Sequence, residues 1–247
     1  MSEMMDRKLL LVAAAVSVLP ACGGAPPPPP KVEGAPKAES APKAHGPSMQ
    51  LSQELGSIDP RAVDRTLQSL DAKFERCHSE GRKRIEYLSG DIKVFLRIDT
   101  SGHVKYGYFE ESSLGDNETE HCIMDVFMQA AWPKPEGGEA EVRHGFGWSA
   151  GGERAPTPWD PDKVTTAVDD SKDAKRSISK CKSGVRGTFR VTAYVEPDGP
   201  KHGKFQAIGV VAPNKEAADK IECVVDALRP VKLPSPGSYA AKVTFPL

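Results

Sequence analysis

From residue 60 onward the chain switches between two hydrophobic periods. Val63, Leu67, Leu70, Phe74 and Cys77 recur at steps of four and three, with Asp64, Arg65, Gln68, Asp71, Lys73, Glu75 and Arg76 between them. That spacing is one apolar face of an amphipathic helix. Asp59-Pro60 supplies its N-cap and first helical residue, and Gly81 a stop. Ile92, Val94, Leu96 and Ile98 then alternate with Lys93, Phe95 and Arg97, the period of a strand. Asp99-Thr100-Ser101-Gly102 is a turn with glycine last, and Val104, Tyr106 and Tyr108 return as a second strand. A helix from about Glu118 carries Cys122, Ile123, Val126, Phe127 and Ala130. Trp132-Pro133 ends it, Pro135-Glu136-Gly137-Gly138 turns, and Val142, His144, Phe146 and Trp148 alternate as a third strand.

The same order recurs from Pro161. Val164, Val168, Ala174, Ile178 and Cys181 form a helical stripe whose centre Ser171 weakens. Phe189, Val191, Ala193 and Val195 alternate, Glu196-Pro197-Asp198-Gly199 turns, and a return strand runs around Phe205 to Val211. A helix around Lys215 to Arg229 holds Ile221, Cys223, Val224, Val225 and Leu228; Tyr239, Ala241, Val243 and Phe245 form the last strand. Gly90 and Gly102 stand as far apart as Gly187 and Gly199, and Cys122 is as far from Pro133 as Cys223 is from Pro234. Matched order with matched spacing predicts a duplication. The expected fold is α+β: two tandem helix–strand–strand–helix–strand units, 58–150 and 162–247, joined by a Gly/Pro-rich linker, 151–161. Each unit is expected to be a three-stranded antiparallel sheet of order 2-1-3 with two helices on one face.

Composition adds a cell address. The chain has 247 residues, with 33 basic and 34 acidic side chains and a net charge of -1. That balance gives no footprint for nucleic acid. Arg7 and Lys8 precede the apolar run Leu9 to Leu19. The run is shorter than the ~20 residues a membrane span needs, and it fits a signal-peptide core. Leu19-Pro20-Ala21-Cys22 resembles a bacterial lipobox. Residues 1–21 are thus expected to be a lipoprotein signal peptide, with Cys22 lipidated and holding the protein to a membrane. Residues 22–57, with Pro26 to Pro30, Pro36, Pro42 and Pro47, read as a Pro/Ala-rich tether. Gly23 after the cysteine favours the outer membrane, facing the periplasm.

In an oxidising compartment an even set of body cysteines reads as disulfides. Three connectivities are possible for Cys77, Cys122, Cys181 and Cys223; the repeat selects Cys77–Cys122 and Cys181–Cys223. The competing reading is a metal-binding or redox-sensing site of Cys77, His78, His121 and Cys122, whose adjacent ligands are awkward for zinc. The second half has Lys182 and Glu222 at the histidine positions, expected as an ion pair. Glu110-Glu111 reads as a loop entrance, and Tyr106 and Tyr108 as a face packed under helices. No catalytic constellation and no cofactor motif is evident, so a non-enzymatic role without cofactor is expected.

The residues Cys77, Gly90, Asp99, Gly102, Ser112-Ser113, Cys122, Trp132-Pro133 and Gly137-Gly138 resemble the pattern of the AgmX/PglI C-terminal domain, a family similar to the TonB C-terminal domain. The second half matches through Cys181, Gly187, Asp198-Gly199, Cys223 and Leu233-Pro234. The resemblance implies a protein-interaction or scaffolding role in the envelope, with a partner protein's extended segment added beside an edge strand. The residues it points to are Val142, His144 and Phe146 in one half and Tyr239, Val243 and Phe245 in the other. Lys201, Lys204, Lys242 and Arg143 are alternatively expected to blunt those edges.

Overall fold

The structure, a computed structural model, describes residues 55–247. The expected signal peptide, Cys22 and nearly all of the tether lie outside them. Helix α1 spans Pro60–Arg82. Asp59 caps it by accepting from the Arg61 N–H, and Pro60 fills the first turn, where no N–H is needed. Its apolar stripe is buried as the spacing predicts. Strands β1 (Gly90–Ile98), β2 (Val104–Ser112) and β3 (Ala140–Trp148) form an antiparallel sheet of order β2-β1-β3. Helix α2 (Asn117–Gln129) links β2 to β3, and Asp116 caps it by accepting from the Thr119 N–H. Val94, Leu96 and Ile98 of the central strand are fully buried with Phe74 of α1 and Ile123 and Phe127 of α2.

The chain continues through β4 (Thr157–Pro158), α3 (Pro161–Asp170), α4 (Lys172–Cys181), β5 (Arg190–Pro197) and β6 (His202–Val211). A 3-10 helix (Lys215–Lys220), α5 (Ile221–Leu228), β7 (Leu233–Pro234) and β8 (Ala241–Pro246) complete it. These strands form a five-stranded sheet, β4-β8-β5-β6-β7. It is therefore wider than the expected three strands. Part of the expected linker folds back as β4, parallel to β8, and Leu233–Pro234 pairs with His202–Gly203.

Local chemistry explains the other differences from the sequence pattern. The stripe from Val164 to Cys181 is two helices, not one. The Ser171 N–H closes α3 on the Ala167 carbonyl while its hydroxyl accepts from the Ala174 N–H and starts α4. A serine side chain competes with the helical ladder in this way. The last expected helix begins as a 3-10 turn, capped by Asn214 through the Ala217 N–H. Tyr239 precedes β8 rather than lying in it, and its hydroxyl donates to the Arg154 carbonyl at 2.7 Å. Glu110 and Glu111 lie within β2 rather than in a loop.

Residues 55–247 belong to one compact unit. The second sheet is covered on both faces. Val191, Ala193 and Val195 pack with Ile178, Val224 and Leu228. On the opposite face Tyr194 joins the core of the first half with Val211. A Cβ at Gly115, in the loop before α2, would stand only 3.2 Å from the Tyr194 ring. Polar contacts run along this junction. Tyr194 Oη donates to the Ser89 carbonyl at 2.9 Å and accepts from the Ser89 N–H at 3.1 Å. Tyr87 Oη donates to Gln206 Oε1, and Gln206 Nε2 donates to the Arg84 carbonyl. Burial pushes the Tyr87 and Tyr194 hydroxyls up to about 12, so both stay protonated donors at neutral pH.

Candidate functional site

A sheet edge offers a row of backbone donors and acceptors, and folds usually cover such edges. In the second sheet both outermost strands are two-residue pieces, β4 and β7. In the first sheet the outer side of β2 faces Val210, Val211 and Ala212 across a cleft of about 150 Å³. Lys215 Nζ sits 4.0 Å from the Tyr106 ring centroid on that side. Strand β3 is different. It pairs with β1 over its full nine residues, Gly90↔Trp148 to Ile98↔Ala140. Its other side pairs with no strand among the described residues; immediately ahead of its start the Gly56 N–H donates to the Glu139 carbonyl at 2.8 Å, and Ser57 pairs with Glu136.

Alternation directs Val142, His144, Phe146 and Trp148 to the α1 side. Val142 is buried, whereas the three rings are half-exposed. Phe146 lies 4.9 Å from the Phe74 ring, and Trp148 is stacked on His78 at 4.6 Å. Trp148 Nε1 donates to Glu75 Oε1 at 2.7 Å. Burial lowers the His144 pKa, while the Asp71 and Asp64 carboxylates act in the opposite direction. On the other face, Arg143 Nε donates to Glu110 Oε1 at 2.9 Å and its guanidinium covers the Phe95 ring at 4.6 Å. Arg143 is thus bound to its own sheet face. Tyr106 and Tyr108 lie on that face beside Phe95, away from α1 and α2, with Arg143 over Phe95 and Lys215 of the 3-10 helix over Tyr106.

The second expected edge is not open in the same way. The Thr157 and Trp159 N–H groups donate to the Ala240 and Lys242 carbonyls at 3.0 Å, so β4 occupies the start of that side of β8, at Ala241 and Lys242. The Val243 and Phe245 side chains are buried in the core. Lys242 is also turned inward: Nζ donates to the Ser89 carbonyl and lies 4.9 Å from the Tyr194 ring, and burial pulls its pKa down to about 8.

Cys77–Cys122 and Cys181–Cys223 are disulfides, with Cα separations of 5.7 and 5.6 Å, tying α1 to α2 and the end of α4 to α5. His78 is buried, with Nε2 2.9 Å from the Leu88 carbonyl. His121 is exposed, with Nε2 3.2 Å from Glu222 Oε1. The four residues of the metal reading therefore do not converge on one point. Glu222 also accepts from Asn117 Nδ2 at 2.6 Å, so it serves the junction between halves instead of pairing with Lys182.

Sequence reasoning missed Glu120, only 2% exposed on the buried face of α2. Its Oε1 accepts from Ser112 Oγ at 2.5 Å and from the Gly115 N–H at 3.4 Å. Burial pushes its carboxyl up to about 7 against the pull of these donors and of the Val210 N–H. A Cβ at Gly209 would lie 2.6 and 2.9 Å from the two carboxylate oxygens, so only glycine leaves room for them. The readable signals were the i, i+3, i+7 spacing of Glu120 with Ile123 and Phe127, and a glycine inside a strand. Gly209→Val is expected to cost on the order of 2 kcal/mol by overpacking this contact. An unchanged urea midpoint would contradict that placement.

No helix of the described residues is long and apolar enough to cross a membrane. Comparison with protein-family models, curated proteins and solved structures finds no match for this chain.

Proposed function

We propose that the protein is a non-enzymatic, lipid-anchored envelope protein that takes an extended segment of a partner protein along the outer side of β3. The observation that carries this reading is the length of the β3 edge: all nine residues pair with β1 and, among the described residues, with no strand on the other side, whereas β4 and β7 each cover the first two residues of the second sheet's long outer strands. Added strands gain main-chain hydrogen bonds from such an edge and specificity from alternate side-chain contacts. The lipobox-like Leu19-Pro20-Ala21-Cys22 and the proline-rich stretch after it support an anchored, tethered module on the outer membrane, facing the periplasm. Two tandem TonB-like units at 58–150 and 162–247 remain our reading of its origin. The shared strand order, β2-β1-β3 and β6-β5-β8, and disulfide separations of 45 and 42 residues support it.

A photo-crosslinking residue at Gly145 tests the function in intact cells. Discrete adducts are expected from Gly145 and none from Asp169 on α3. Equal labelling from both positions, or none from Gly145, would remove the edge as the working surface. Palmitate incorporation that disappears in Cys22→Ala is the matching test of the anchor.

A further inference from the structure

We infer that the segment received along β3 is cationic: an extended peptide with lysine or arginine at alternate positions, on the side that faces α1. This rests on the strand-addition reading and names the chemistry of its partner.

The α1 side of the edge is acidic along most of its length, with Arg82 of the last turn, bonded to the Glu86 carbonyl, in line beyond the end of β3. Asp64, Asp71 and Glu75 are spaced by seven and four residues, which sets them in one row along the helix. All three are exposed, and none forms an ion pair among the described residues. The row lies toward β3. Asp71 and Asp64 are the charges that act on His144, and Glu75 holds the Trp148 indole. Of the other α1 cations, Arg65, Lys73 and Arg76 fall roughly a quarter-turn or more around the helix from this row, given ~3.6 residues per turn, and Arg61 stands in its first turn, before the row begins. Between the carboxylates and the open backbone stand the half-exposed rings of His144, Phe146 and Trp148. Aromatic faces beside carboxylates suit a lysine stem or a guanidinium plane better than an acidic or purely apolar side chain.

The opposite face of the edge leaves room for an incoming backbone. Glu141 and Arg143 are bonded to each other, and Arg143 also to Glu110. A Cβ at Gly145 would meet only the Ile92 carbonyl at 3.6 Å, an ordinary contact. Internal packing therefore does not demand glycine there, and a side chain at this position is tolerated by the sheet.

The test uses the full chain and three synthetic ten-residue peptides with the same alternating valines. The intervening positions are all lysine, all threonine or all glutamate. Each exposed ion pair adds ~0.2–1 kcal/mol, so the lysine peptide is expected to bind about tenfold tighter than the threonine peptide by titration calorimetry at low salt. The glutamate peptide is expected to bind weakest. The lysine advantage should collapse in Asp64→Asn/Asp71→Asn, two exposed changes that leave the core intact, and at 1 M salt. Equal binding of lysine and threonine peptides overturns the cationic inference and leaves strand addition standing. Binding by none of the three overturns both. A chain that sediments as a dimer with its β3 amides protected, and that lysine peptide does not dissociate, assigns the edge to a second copy and overturns the inference.

Discussion

Replacing Cys77 and Cys122 together by alanine is expected to lower the stability of the protein by about 4 kcal/mol. The bridge closes a separation of 45 residues, and its removal frees that loop in the unfolded chain. The loss is large beside the ~5–15 kcal/mol that stabilises a whole domain. The structure gives the reason such a staple matters: α1 and α2 cover one side of a sheet of only three strands. The Cys181–Cys223 bridge closes 42 residues and should contribute nearly as much. Urea denaturation of each double variant measures both losses. A midpoint unchanged from that of the parent would show that the helices hold their places without the covalent tie. Intact mass under non-reducing conditions should show two bridges in the body of the chain, as the paired geometry requires.

Glu120→Gln should stabilise the protein at neutral pH and remove part of its pH dependence. In the folded chain Glu120 keeps its proton up to about pH 7, whereas an exposed glutamate releases it near ~4.5. Between those values the folded state binds more protons than the unfolded one, so stability falls as pH rises. Below the lower value both states are protonated and nothing is lost. Above the upper value the loss is complete, at about 3 kcal/mol for a shift of this size. Glutamine stays neutral and still accepts from Ser112 and Gly115. The variant and the parent should therefore be about equally stable near pH 4.5 and diverge by up to about 3 kcal/mol by pH 7.5. The neighbouring groups are common to both proteins: Asp116 on the same helix, Lys242 across the junction, and Arg84, paired with Asp116. The difference between the two curves therefore isolates Glu120. Parallel curves across that range would place this carboxyl in contact with water.

Periodicity settled most of the first half. The four-three stripe of α1, the alternation of β1 and the Asp99 to Gly102 turn each depend on neighbours a few residues away. The order 2-1-3 followed from strand directions alone. The cysteine pairing followed from the repeat, because one frame occurring twice leaves a single symmetric connectivity. Of the two edges expected to receive a partner, β3 meets no strand among the described residues, whereas β4 covers the start of β8. The sequence of β8 looks like an edge because nothing in it records that Thr157–Pro158, more than eighty residues earlier, returns to pair with it.

Legible in the residue order, then, are most of the helices and long strands, the order of the first sheet and of the three long strands of the second, and which cysteines meet. These are set by spacing within a segment or by a repeated frame. Long-range packing, by contrast, sandwiches the second sheet between its own helices and the first half. It also buries Tyr194, Lys242 and Glu120 at that junction, and brings Glu222 to Asn117 and His121. Each of those side chains looks ordinary in its local pattern. Apart from the Ser112 and Gly115 donors to Glu120, their partners stand about ninety to more than a hundred and fifty residues away, brought within hydrogen-bond distance by packing that no local period encodes.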